Sequence, residues 1–389
     1  MLGFRWLAAY AGAPKDDGYA AAIDRLVAID RTGLQDFVRG APPLAPPNVA
    51  LQQAVDGWLG GRGLRRVVVM VHGFQFDVSA LNAEDASATT PADDPFNRVY
   101  AAPGHELAPV RPESWLPIAG ETDEAGTLLS DCTIGFGWDS DYSFIGESAG
   151  LENGFQYALL DVAPLAARAL ATLIATLQNK GLAVEVIAHS MGTRTACQAL
   201  RLLADGGLTH LVSQILLIEG SEFSVDAYDA ATRLPNTQFY NVGNQHDTWP
   251  PLGAKEAHPF RFNGTLAAQV VGYQGIAPLA NVADIQIDRR DLRDWAATQG
   301  YALQAGPVTV NGVTRAEHWA AYIHADNRRF LRDMLVRPDR SVAWLRDTRA
   351  PLGFTYAGYG LLAGVAIPPM PQSREERLAA QLQPMQPQG

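Results

Sequence analysis

The chain has 389 residues, 47% hydrophobic and 18% charged, a composition too apolar for an intrinsically disordered polypeptide. Its 41 acidic and 30 basic residues leave a formal net charge of −11, and no local Lys/Arg cluster offsets it, which argues against nucleic-acid binding. Two cysteines, Cys132 and Cys197, are too few for a disulfide framework or a four-thiolate zinc site and read as buried, reduced thiols.

Met1 to Ala13 carries Arg5, a short apolar stretch and a small-residue end. It is shorter than an ordinary secretory leader and reads as a first strand or structured extension. A cytoplasmic location is therefore expected, with a very short cleaved leader as the alternative. Ala21 to Val38 places Ile23, Leu26, Val27, Leu34, Phe37 and Val38 at loose helical spacing. After Pro42, Pro43, Pro46 and Pro47, a second helix is expected over Val49–Leu59, with Leu51, Val55 and Trp58 on one side. Residues 1–62 thus read as an N-terminal helical extension packed on the core.

From Val67 the pattern changes. Val67 to Val71 is a continuous apolar run, as in a parallel strand buried on both faces. Further strand-like runs occupy Cys132–Phe136, Val184–Ala188, Gln214–Ile218, Gln238–Val242 and Asp284–Ile287. Helical patterns lie between or after them at Leu159–Leu177, Thr193–Leu203 and Ala316–Leu335. This alternation predicts an α/β fold, a doubly wound, mostly parallel sheet, over residues 63–350. No run of about 18 apolar residues marks a membrane span. Long insertions are expected at 79–130 and 250–283, as lids, binding surfaces or decoration. Residues 351–389 form a C-terminal extension, Pro/Gln-rich from Pro368 and partly mobile.

The segment Val184 to Arg194 (VEVIAHSMGTR) carries the chemistry. A buried strand runs into a tight turn at Ser190 and then directly into a helix, which exposes the serine oxygen beside the first N–H groups of that helix. Ala188 and Gly192 supply the small residues that the close backbone approach requires. Gly146 to Gly150 is a literal G-x-S-x-G around Ser148, but it has no apolar strand before it and no helix after it. Ser190 is therefore preferred over Ser148 as the nucleophile. A serine attacking an acyl carbonyl needs two preorganised N–H donors for the oxyanion. They are expected from Met191, next to the serine, and from Phe74 in Val71-His72-Gly73-Phe74-Gln75 after an earlier strand.

Together H-G-F after a strand, A-H-S-M-G-T-R, and the W-D-S of Trp138-Asp139-Ser140 resemble the α/β-hydrolase superfamily, in particular a bacterial serine-hydrolase branch related to lipases. The resemblance covers about residues 64–336 and implies the chain order serine, acid, histidine. His72, which precedes the serine, then reads as a loop anchor and not a base. Asp247, after the run Gln238–Val242, is the expected acid, with Asp284, Asp288 and Glu219 as rivals. His318, before the last long helix, is the expected base, with His258 and His324 as rivals.

Phe74, His189 and Trp249 are candidate substrate contacts. No H-E-x-x-H, C-x-x-C or phosphate-loop motif occurs, so neither a metal nor a cofactor is expected. The expected partner is a small-molecule ester, cleaved through an acyl-enzyme. The same machinery would serve an acyltransferase, thioesterase or amidase, and a non-catalytic scaffold used for binding is the reading from another class.

Overall fold

The computed structural model describes residues 6–10, 25–30, 33–39, 49–60, 63–74, 76, 99–100, 113–123, 125, 127, 129–130, 132–138, 140, 154–247, 270–310, 313–315, 317–355 and 359. Among them a nine-stranded sheet is formed by β1 (Trp6–Tyr10), β2 (Arg25–Asp30), β3 (Gly33–Arg39), β4 (Arg66–Val71), β5 (Thr133–Trp138), β6 (Ala183–His189), β7 (Val212–Ile218), β8 (Gln238–Gly243) and β9 (Val282–Gln286). The strand order is β3-β2-β1-β5-β4-β6-β7-β8-β9. The six strands from β5 to β9 in that order are all parallel. β1 adds to them in parallel, and β2 and β3 continue the sheet antiparallel.

Period-two alternation makes these strands two-sided. Val67, Val69 and Val71 of β4 enter one apolar core, whereas Val68 and Met70 enter the other. β6 divides likewise, with Val186 and Ala188 on the first side and Ile187 on the second. The first core is covered by α1 (Val49–Leu59), α3 (Ala163–Asn179), α4 (Gly192–Asp205) and α5 (Ser224–Arg233). The second is covered by α2 (Leu116–Ala119), α6 (Arg290–Thr298), α7 (Ala325–Val336) and α8 (Val342–Asp347). Helices on both faces of a parallel sheet are the doubly wound architecture. A π-helical turn, Ala158–Val162, leads into α3. The 22 residues Ala158–Asn179 would suit a membrane span by length and apolarity alone, yet 82% of the most apolar window is buried inside the fold, as in a core helix.

Strand order positions the site. The chain moves from β4 to β5 on one side and returns to β6 on the other, so the order reverses between β4 and β6. A crevice opens at the carboxyl ends of the strands at such a switch point. Register brings Val71 opposite Ala188, His189 opposite Ile218 and Ile218 opposite Val242, which aligns the loops after β4, β6, β7 and β8 along one edge.

Several expectations are corrected. Residues 25–39 hold the strands β2 and β3, not a helix. Leu26 pairs with Val38 and Ile29 with Leu34 across the ladder, and pairing with β1 outweighs the weak helical spacing. Gly33, unfavourable inside a helix by about 1 kcal/mol, opens β3 instead. The helix expected over 316–335 is broken into a 3₁₀ turn (Glu317–Trp319), a helical turn (Ala320–Ile323) and α7, with His324 extended between the last two. Asn327 donates to Ala320 O and Arg328 to Ile323 O, so side chains satisfy the carbonyls that the break exposes.

Parts of both insertions are core. Tyr100, Trp115, Leu116 and Ile118 lie in the second core, and Val270, Val271, Ile276 and Ala277 in the first. A few large apolar side chains in a window of polar average suffice to bury it. Residues 351–355 are likewise anchored, with Phe354 buried and Gly353 N donating to Asp284 O at 2.8 Å. Both cysteines are buried free thiols.

Candidate active site

Ser190 occupies a left-handed turn (φ +53°) between β6 and α4. That conformation costs a residue with a side chain about 1–2 kcal/mol, so the surroundings must hold it. Ser190 N donates to Ile218 O at 3.0 Å, while Ser190 O accepts from Thr193 N (3.1 Å), Thr193 Oγ1 (2.7 Å) and Ser221 N (3.0 Å). Gly192 is obligatory, because a Cβ there would lie 2.3 Å from His72 O and 2.5 Å from Val71 O. On the other side a Cβ on Gly73 would meet Ser190 Cβ at 2.7 Å, so the loop after β4 runs directly against the serine. Ser190 is 8% exposed. Met191 N donates to no backbone acceptor among the described residues.

The loop carrying Gly73 and Phe74 is braced by His72. Its Nδ1–H donates to Gly73 O at 2.9 Å, and its Nε2 accepts from Trp138 N at 2.9 Å. Those partners fix one neutral tautomer, and burial lowers the imidazole pKa to about 3. The ring stacks on the Trp138 indole (5.8 Å, 7°), whose Nε1 donates to His72 O at 3.0 Å. Tyr100 Oη accepts from His72 N (2.6 Å) and donates to Phe136 O (2.8 Å). Ser140 Oγ adds a bond to Gly73 O at 2.7 Å. Trp138, Ser140 and Tyr100 are thus supports that sequence reasoning did not assign. The W-D-S segment was the available signal for the first two. Phe74, half-buried, lies edge-on to Phe155 with ring centroids 5.1 Å apart.

Asp247 follows β8 through a turn that Asn244 organises. Asn244 Oδ1 accepts from His246 N (2.9 Å), Asn244 O from Asp247 N (3.0 Å), and Asn244 Nδ2 donates to Ala305 O (2.8 Å). His318 sits in the 3₁₀ turn before α7, and its Nδ1 lies 2.6 Å from Asp247 Oδ2. Both are buried, at 7% and 2% exposure. An Nδ1–H given to a carboxylate leaves Nε2 as the basic nitrogen. His189, the residue before the serine, donates from Nε2 to His318 O at 3.0 Å. Its ring stands 4.6 Å from that of His318 and is walled by Tyr322 (4.9 Å) and Trp115 (6.0 Å). This contact brings the turn of residue 318 to the corner of residue 190. At 3% exposure His189 faces protein more than open space.

The rival residues are engaged elsewhere. Asp284 accepts from Asn241 Nδ2 (2.6 Å), Ile276 N (2.9 Å) and Ala277 N (3.1 Å). Asp288 accepts from Gln245 N (3.1 Å) and Gln286 Nε2 (3.0 Å). His324 Nε2 donates to Gly306 O at 3.1 Å. Ser148, Trp249 and His258 lie outside the described residues, as does Asp139.

A second support lies below the serine turn. Arg194 is fully buried, with Nη1 2.7 Å from Glu222 Oε1 and 2.8 Å from Asp226 Oδ2. Its Nε donates to Leu159 O in the π-helical turn, a place where irregular hydrogen bonding leaves carbonyls to capture. Glu222 N donates to Thr193 Oγ1 at 3.0 Å, which couples this ion cluster to the serine carbonyl. Among the described residues no group of three or more His, Cys, Asp or Glu is arranged to hold a metal ion.

A family model described as an alpha/beta hydrolase of unknown function (DUF900) matches residues 48–220, from before α1 through the Ser190 turn to just past β7. No curated protein and no solved structure matches the chain. With this match, the parallel sheet of β5-β4-β6-β7-β8-β9 order and the left-handed serine turn after β6 give the chain an α/β-hydrolase fold.

Proposed function

We propose that the protein is a serine hydrolase that cleaves a carboxylic ester through an acyl-enzyme on Ser190. The observation that carries this reading is the 2.6 Å contact between His318 and Asp247, with the His318 carbonyl held by His189, the residue before a serine in a left-handed turn. In the first half-reaction Ser190 Oγ attacks the ester carbonyl as its proton passes to His318 Nε2. Asp247, accepting from Nδ1–H, stabilises the resulting imidazolium. The carbonyl oxygen becomes an oxyanion, for which the amides of Met191 and Phe74 are the assigned donors. Collapse expels the alkoxide, which takes the proton from His318 and leaves as the alcohol. Water then attacks the acyl-serine with His318 again as base, and release of the acid restores Ser190.

Phe74, beside Phe155, supplies apolar surface on the oxyanion side and favours an apolar acyl group. A fluorophosphonate probe tests the reading. It should label the wild-type protein on Ser190 and fail to label Ser190→Ala, which should also lose hydrolysis of p-nitrophenyl esters. Equal labelling of the two proteins, with retained turnover, would move the nucleophile elsewhere, Ser148 being the first alternative.

A further inference from the structure

The proposed chemistry leaves Glu219 unused, although it stands at the centre of the site's framework. It follows β7 directly, the strand that lies between the one leading to Ser190 and the one leading to Asp247. Its side chain is fully buried, its backbone is left-handed (φ +45°), and neither carboxyl oxygen has a hydrogen-bond partner at ordinary distance. A strained non-glycine residue with an orphaned buried acid is a combination that structural needs alone rarely retain.

The backbone fixes what the carboxyl faces. Glu219 N donates to Val242 O (2.8 Å), Gly272 N to Gly220 O (3.0 Å), and Asn244 N to Gly272 O (3.1 Å). A Cβ on Gly272 would lie 2.6 Å from Glu219 C, so no side chain separates these segments. The backbone of Asn244, the residue that organises the Asp247 turn, lies toward the Glu219 carboxyl at more than ordinary hydrogen-bond distance. The charged groups that act on it are Asp247, beyond β8, and Asp288, beyond β9. Both are acidic, and no cation acts on it among the described residues. On the α4 side the neighbouring Gly220 meets Thr193, which is neutral. An anion with no hydrogen bond of ordinary length, no counter-ion and two carboxylates nearby is the least favourable state of this side chain, and the distant Asn244 amide offsets that only in part. Burial first, then Asp247 and Asp288, raise its pKa well above the usual carboxylate range.

We propose that Glu219 is a positioning residue of the Ser190 site, a carboxylic acid that keeps its proton at neutral pH and so leaves Asp247 as the single anion holding His318. The inference rests on the triad reading above. A neutral acid fills the space behind the Asn244–Asp247 turn without competing for the imidazole. Loss of its proton at alkaline pH places a second negative charge behind that turn, with no cation to receive it. The turn must then shift, and Asp247 with it, so turnover falls along an alkaline limb that belongs to Glu219.

Two measurements test this. Infrared difference spectroscopy on protein carrying ¹³C-labelled glutamate, wild type against Glu219→Gln at pH 7, should show the carbonyl band of an un-ionised carboxylic acid in the wild type alone. This readout does not depend on catalysis. The pH profile of kcat/KM for a p-nitrophenyl ester is the second: Glu219→Gln should stay within about threefold of wild type at neutral pH and lose the alkaline limb. Absence of the acid band, or the same alkaline limb in both proteins, overturns the proposal. Should Glu219→Gln not fold, a pH titration of the labelled wild type decides, since an ionised Glu219 at pH 7 would show a carboxylate band only. Wild-type protein without Ser190-dependent turnover would sink the triad reading and the positioning role together, while the band would still report the protonation state.

Discussion

Acidification should weaken this fold through His72. The ordinary imidazole pKa is near 6.5, and burial against Trp138 lowers that of His72 to about 3. Between those values the unfolded chain binds a proton that the folded chain refuses, because Nε2 already accepts from Trp138 N and Nδ1 already donates to Gly73 O. A depressed histidine pKa thus contributes stability that is fully present above about pH 6.5 and drains away as pH falls toward 3. At about 1.36 kcal/mol per unit, two units below the unfolded value correspond to a loss of roughly 2.7 kcal/mol at pH 4.5. Asp284 acts in the opposite sense. Burial raises its pKa to about 6, so its contribution is present at low pH and is lost as pH rises through the interval from 3.8 to about 6. The wild-type curve alone therefore mixes the two. Comparison with His72→Gln separates them, since Asp284 is common to both proteins and lies four strands away, about 19 Å. Urea midpoints followed by tryptophan fluorescence should show the variant less stable at pH 7 by about 1–3 kcal/mol, with the gap narrowing by about 2.5 kcal/mol at pH 4.5. A gap that stays constant over that range would refute the assignment of a neutral, doubly satisfied His72.

Three further substitutions probe the framework and the chemistry. Asp247→Asn should lower kcat by about 10⁴-fold with little change in melting temperature, because the imidazole loses its orienting charge and its tautomer; near-wild-type turnover would hand the role to another acid. Gly192→Ala drives a methyl group onto the His72 and Val71 carbonyls, so it should cost at least about 2 kcal/mol in denaturation and remove fluorophosphonate labelling. Arg194→Met leaves Glu222 and Asp226 buried without their shared cation, a loss of about 3–5 kcal/mol, and adding Glu222→Gln and Asp226→Asn should recover a large part of it.

The parts of the fold that depend on local pattern were legible. A strand buried on both faces must be apolar at every position, and Val67 to Val71 announces that without reference to any other segment. The serine turn was legible for a similar reason: the glycine at 192 is demanded by backbone atoms of β4 and its following loop, and its spacing from the serine is short. What escaped depends on distant partners. Residues 25–39 are strands because β1 offers an edge, which no spacing inside 25–39 can reveal. The kink at His324 depends on Asn327 reaching back to Ala320, and the burial of Trp115 depends on His189 and Tyr322, both far away in the chain. The supports of the loop after β4 escaped as well, because the tie from Ser140 to Gly73 is made only after β4 and β5 have paired.

Four carboxylates near one sheet edge look interchangeable in the sequence, and their donors tell them apart. A triad acid must keep an acceptor for the imidazole N–H and must stay anionic while doing so. Asp284 fails the first condition, since two backbone amides and the Asn241 side chain occupy its oxygens. Asp288 is committed to Gln245 and Gln286. Glu219 fails the second, its oxygens having no hydrogen-bond partner at ordinary distance to hold a charge at full burial. In the proposed triad Asp247 meets the first, because Asn244 shapes its turn through the backbone and the amide side chain and Oδ2 accepts from His318 Nδ1. On the proposed triad, the choice of acid is made by where the amide donors fall around each carboxyl and not by carboxylate spacing along the chain. It follows that Asn244→Ala, which removes the side chain that shapes the turn, should impair turnover far more than it impairs stability. A variant that lost both in proportion would show that the turn serves the fold and not the acid.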